Sequence, residues 1–101
     1  MPVREFRIWL GDRVYMAVEF ETVHGEVVWF VVRLMLCTAA DDQCVVRYDT
    51  AHGKPHRDLL SRTGRLVEKE WLLGMDFEEA LEHAIRELKA NHESYIAGFL
   101  R

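Results

Sequence analysis

Residues 27–37 read VVWFVVRLMLC. Taken alternately, Val28, Phe30, Val32 and Leu34 fill one face of a strand, and Val27, Trp29, Val31 and Met35 fill the other. A half-buried strand alternates apolar and polar residues, whereas a strand apolar on both faces is covered on both sides. The run is broken by Arg33 and is too short to span a bilayer. It reads as the central strand of a sheet, and the remaining elements are arranged around it.

On the N-terminal side, Phe6, Ile8 and Leu10 alternate with Arg7 and Trp9. After Gly11-Asp12, Val14, Met16, Val18 and Phe20 alternate with Tyr15, Ala17 and Glu19. This period of two is that of half-buried antiparallel strands. Val23-His24-Gly25-Glu26 reads as a hairpin turn leading into the central strand. On the C-terminal side, Cys44 to Tyr48 is a further strand. Asp58 to Leu60 and Arg65 to Trp71 form a last hairpin around Ser61-Arg62-Thr63-Gly64.

The end of the chain is helical. Asp76 followed three residues later by Glu79 forms a capping box. Phe77, Ala80, Leu81, Ala84, Ile85, Leu88, Tyr95, Ile96 and Phe99 recur at helical spacing. Glu78, Glu82, Arg86, Lys89 and Glu93 take the wet side. The predicted fold is α+β: an antiparallel meander of five or six strands followed by one long C-terminal helix, in a single domain over residues 1–101. One helix covers one face of such a sheet, so the second face of Val27–Cys37 must be covered by curling of the sheet, a second copy or a partner protein.

Half of the 101 residues are hydrophobic, enough for a core without metal or disulfide staples. The start, MPVREFRIWLGDR, mixes charges with apolar residues and does not read as a signal peptide. The expectation is a soluble, cytoplasmic protein with no membrane partner. The net charge of −4 argues against a general polyanion binder. Its distribution is uneven: Arg47 to Arg65 holds five Lys or Arg against two Asp, and Asp76 to Arg101 holds three against six Asp or Glu. Cys37 and Cys44 flank TAADDQ. If that stretch is a hairpin loop they can lie opposite each other, so a disulfide is geometrically open, although a reducing compartment and the use of Cys as a small core residue favour free thiols.

The chemistry-bearing stretch is Arg47–Asp58, RYDTAHGKPHRD. Gly53 and Pro55 lie between His52 and His56, so the two imidazoles flank a bend and share no helical face. Three readings are open. In the first, His52 and His56 are the acid and base that cleave RNA through its own 2′-hydroxyl, since imidazole serves either role near neutrality. Arg57, Lys54 or Arg47 would face the charge of the transition state. Asp49 or Asp58 would orient an imidazole, and Tyr48 would stack on a base or donate its hydroxyl. In the second, His52 and His56 with Asp49 or Asp58 bind zinc. In the third, the segment is a polar turn in a non-catalytic module that binds a protein, an anion or a nucleic acid. His24 lies in a hairpin turn, and His83 and His92 lie on the helix, where none needs a function.

RYDTAHGKPHRD, a charged hairpin and then FEEAL in a closing helix resemble the RYDN-x-HG-x-x-HRH pattern of the TumE-type toxins of prokaryotic toxin–antitoxin modules. They are closer still to a neighbouring family of small proteins with a PHRD loop. The likeness covers roughly residues 47–99. It matches Tyr48, Asp49, His52, Gly53, His56 and Arg57, with Asp58 standing where the toxin pattern has a further His. It implies a toxin component acting on RNA and neutralised by an antitoxin protein. On that reading His52, His56, Arg57 and Asp49 are catalytic, Arg47, Tyr48 and Lys54 hold substrate, and no metal or cofactor is needed. A homodimer through the sheet face is expected.

Overall fold

The computed structural model describes residues 3–101, and its architecture is α+β. Six strands run in order: β1 (Val3–Trp9), β2 (Val14–Val23), β3 (Glu26–Cys37), β4 (Asp42–Asp49), β5 (His56–Leu60) and β6 (Leu66–Trp71). A single 3-10 turn, Ala51–Gly53, joins β4 to β5, and one helix, α1 (Phe77–Phe99), closes the chain. The sheet order is β1-β2-β3-β4-β5-β6, antiparallel throughout, so each strand pairs with its neighbour in sequence. Short loops make this the simplest solution, because consecutive strands then meet before any competitor can. The two-residue loop between β2 and β3 is His24-Gly25, both at positive φ (52° and 79°). A tight hairpin whose twist matches its strands requires that conformation, and glycine takes it without strain.

α1 packs across β3 and β4. Phe30, Val32 and Leu34 of β3 meet Ala80, Leu81, Ala84 and Leu88 of the helix, with Met16 and Val18 of β2 and Val46 and Tyr48 of β4 alongside. Each large apolar side chain removed from water contributes about 1.5–3 kcal/mol, so this layer accounts for most of the stability. Truncating Leu88, fully buried at its centre, costs about 2–5 kcal/mol. The helix begins where the sequence places it. Asp76 Oδ1 accepts from the backbone N–H of Glu79 at 2.8 Å, and Glu79 Oε1 accepts from the N–H of Asp76 at 3.1 Å.

The assignment of Val27 and Val28 to faces is corrected by a bulge. Glu21 pairs with Trp29 but Thr22 pairs with Val27, leaving Val28 as the extra residue. Val28 is consequently exposed, and Val27 packs against the core. A bulge inserts one residue into one strand and reverses the alternation beyond it. A second bulge at Val45, between the pairs Leu34–Val46 and Met35–Cys44, allows Val45 and Val46 both to be fully buried.

The other face of the sheet receives no helix. Trp29, Val31, Arg33 and Met35 are half-buried there, and the Trp29 indole N–H donates to Glu21 Oε1 at 2.7 Å. Cys37 and Cys44 are both free thiols. They are not cross-strand partners: the register sets Cys37 opposite Asp42 and Cys44 opposite Met35. Among the described residues, no helix is long and apolar enough to cross a membrane.

Candidate functional site

The segment Arg47–Asp58 is the β4–β5 hairpin, and its alternation divides the site between two faces. Tyr48 and Arg57 are register partners, as are Arg47 with Asp58 and Asp49 with His56. Successive strand residues point to opposite sides. Tyr48 and Arg57 therefore turn toward the helix, whereas Arg47, Asp49, His56 and Asp58 turn toward the open face.

On the helix side, Tyr48 is 1% exposed. Its hydroxyl donates to Glu87 Oε1 at 2.6 Å, and the Tyr95 hydroxyl donates to the same oxygen at 2.7 Å. Burial, reinforced by the Glu87 carboxylate, pushes both phenols above their ordinary value, Tyr95 to about 12. Arg57 donates to the Tyr95 hydroxyl at 3.0 Å and to Glu70 at 3.1 Å, and also pairs with Glu68. This chain of contacts ties the β4–β5–β6 edge to the helix. The sequence reading that gave Tyr48 to base stacking and Arg57 to transition-state charge is corrected here. The Tyr48 ring is inside the core, and Arg57 lies on the opposite face from His56.

On the open face, five ionisable groups meet. His56 is 2% exposed. Its Nδ1 lies 3.0 Å from the carbonyl oxygen of Lys54, its Nε2 lies 2.9 Å from Asp49 Oδ1, and Asp58 Oδ2 is 3.7 Å away. A carbonyl only accepts, so Nδ1 carries a proton. A carboxylate accepts too, so Nε2 also faces an acceptor. The ring thus lies between a backbone carbonyl and two carboxylates. Arg47 Nη2 donates to Asp58 Oδ2 at 2.9 Å. Its Nε lies 3.1 Å from Asp49 Oδ2, and Lys69 Nζ lies 2.9 Å from Asp58 Oδ1. These last two are ion pairs rather than well-formed hydrogen bonds, since Arg47 Nε and Asp58 Oδ1 have no hydrogen-bond partner. Burial draws the Asp58 carboxyl upward, but Lys69, Arg47 and His56 outweigh it and hold the group below its ordinary value. The Trp71 ring packs 5.1 Å from the His56 ring.

His52 sits apart from this cluster. It is exposed in the 3-10 turn at φ 66°, followed by Gly53 at φ 79°. The turn is fixed from below: Thr50 Oγ1 accepts from the buried N–H of Phe30 at 3.1 Å, and Asp49 Oδ1 accepts from Ala51 N–H at 3.1 Å. Lys54 is exposed and borders a cleft of ≈ 660 Å³, lined also by Gly53, Pro55, Trp71, Asp76 and Phe77. The acid–base reading requires His52, His56 and Arg57 at one spot, and the fold does not bring them together. His56 is locked under the turn, His52 stands in solvent, and Arg57 faces the helix.

Among the described residues, the side chains that can together offer one ligand atom each to a metal are Asp49, His56 and Asp58, with those atoms all within 4.8 Å of one another. His52, included in the zinc reading, is not among them. The Nδ1–H bond to a backbone carbonyl is the orientation that metal-binding histidines use. Against it, Arg47 and Lys69 already neutralise both carboxylates, and a divalent ion would add to two cations in a buried place. The cluster suits charge compensation better than metal binding. Lys69, Trp71, Glu87 and Tyr95 complete the two networks and were not read as site residues. The two-residue spacing of Lys69 and Trp71 signals a shared face, but nothing local signals which strand that face meets.

The family described as Domain of unknown function (DUF7718) matches residues 1–101. Searches of the curated proteins and of the solved structures found no match.

Proposed function

The chain belongs to the DUF7718 family, and we propose that it is a non-catalytic protein-interaction module working through the uncovered face of its sheet. The observation that carries this reading is His56. A general base must reach the proton it removes with a free lone pair, and both ring nitrogens of this buried imidazole are already engaged. The open face supports the positive half of the reading. It holds Trp29, Val31 and Met35 half-buried, and Trp9 and Trp71 are 57% and 44% exposed. Exposed apolar surface interspersed with charge marks interaction sites, and aromatic side chains are enriched in them. The two free thiols suit a reducing compartment, which we take to be the cytoplasm.

Exposed His52 and Lys54 favour a second reading, a toxin component that acts on RNA and is held by an antitoxin. In it His52 is the one imidazole that reaches substrate, and Lys54 is the neighbouring cation. One pair of experiments separates the two. A photo-crosslinking amino acid at Trp9, compared with one at Glu82 on the outer side of the helix, is expected to give protein adducts in cells from position 9 only. Labelled RNA incubated with the purified chain, with and without divalent metal, is expected to stay intact. Cleavage that disappears in His52→Ala would replace the first reading by the second.

A further inference from the structure

The charges of the open face are arranged in rows. Register pairing aligns Arg7, Ala17, Arg33 and Arg47 across β1 to β4. Two residues along each strand, it aligns Glu5, Glu19, Val31 and Asp49. The rows lie about 6.6 Å apart on one face. Arg47 and Asp49 are paired within the chain, but Arg7 and Arg33 in the first row and Glu5 and Glu19 in the second make no ion pair among the described residues. Arg33 and Glu19 are half-buried at the middle of the sheet, where an unanswered charge is costly. The face thus holds a cationic row and an acidic row side by side.

We propose that this face pairs with the same face of a second copy of the chain, about a two-fold axis lying between the sheets and running across the strands, between the two rows. This deepens the interaction reading and rests on it. Rotation about that axis exchanges the rows. Arg7 and Arg33 of one protomer come over the acidic row of its partner, and Glu5 and Glu19 come over the cationic row. A two-fold along the strands would instead stack each row on itself, cation over cation. A C2 contact is isologous, so every favourable pairing occurs twice. Facing sheets pack about 10 Å apart with their strands within about 30°, which brings Trp29, Val31 and Met35 of both copies into one layer. A nucleic acid is disfavoured as the occupant because Glu5 and Glu19 would face its phosphates.

The test is a charge exchange. Sedimentation of the wild-type chain over a range of concentrations is expected to show a monomer–dimer equilibrium. The variant R7E/R33E sets acids against acids, and E5R/E19R sets cations against cations. Each alone should raise the dissociation constant at least about tenfold, because like charges face each other across the contact. Mixed in equal amounts, the two should form a heterodimer of wild-type affinity, since every cross-pair is again opposite. The exposed single changes R7E and E5R serve in the same scheme if the double variants fail to fold. A wild-type chain that stays monomeric, or a mixture that does not recover the dimer, overturns the proposal. If the chain is monomeric while the crosslinker at Trp9 traps a different protein, self-pairing falls and the interaction reading stands. If it is monomeric and position 9 gives no adduct, both fall.

Discussion

His56 and Asp49 face each other across the β4–β5 pair, with Nε2 2.9 Å from Oδ1, and the ring is held from its other side by the Lys54 carbonyl at 3.0 Å. The imidazole is a buried link between carboxylates under a turn. Its removal should therefore be felt in stability.

His56→Ala leaves Asp49 and Asp58 without the donor between them. The expected cost is about 2–4 kcal/mol, as when one partner of a buried charged network is deleted. His52→Ala, in the exposed turn, should stay within about 0.5 kcal/mol of wild type. Chemical denaturation monitored by tryptophan fluorescence measures both. Equal midpoints for the two variants would remove the bridging role.

Acid should weaken the fold through Asp58. Its carboxyl is held below 3.8 in the folded chain. A depressed carboxyl contributes stability that is present above the unfolded value and is lost as pH falls through the folded one. The Asp58 contribution should be complete above its unfolded value of 3.8, and the denaturation midpoint should decline below that pH. Asp58→Asn should lower the plateau and flatten the decline; an unchanged acid limb in that variant would contradict the assignment.

Alkali should weaken it through the tyrosines. Burial and Glu87 raise the Tyr48 and Tyr95 phenols above 10.0, Tyr95 to about 12. A raised phenol contributes stability that is complete below the unfolded value and is lost as pH rises through the folded one. Stability should fall from pH 10 toward pH 12, and Tyr48→Phe should shrink that loss. Absorbance of tyrosinate, followed beside unfolding, should show ionisation and unfolding rising together.

His52 occupies a left-handed backbone conformation at φ 66°. A β-carbon there costs about 1–2 kcal/mol, partly offset by the extra freedom glycine has when unfolded. His52→Gly should therefore stabilise the chain by up to about 1 kcal/mol in thermal melts. A lower melting temperature would mean that the imidazole makes a contact worth more than the strain.

The strand and helix pattern was legible because it is written locally. Alternation in Val14–Phe20 and the helical spacing from Phe77 to Phe99 each follow from the geometry of one element. The capping box at Asp76 needs only four consecutive residues. The even division of Val27–Cys37 was legible except at Val27 and Val28, because a bulge depends on which partner residue fails to advance, and that residue, Thr22, lies on another strand.

Residue order alone was enough for an α+β meander closed by one helix, a sheet face that helix leaves uncovered, and a charged hairpin from Arg47 to Asp58. Each follows from short-range periodicity and turn chemistry. The assembled fold was needed to make His56 a buried link, to bring Tyr48 and Arg57 to the helix contact, and to close the cluster around Asp58 with Lys69. Those outcomes depend on cross-strand register and on the side of the sheet where the helix lands. Residue types in a loop do not encode either, because one hairpin presents half its side chains to each face and the choice of face is made by distant apolar residues.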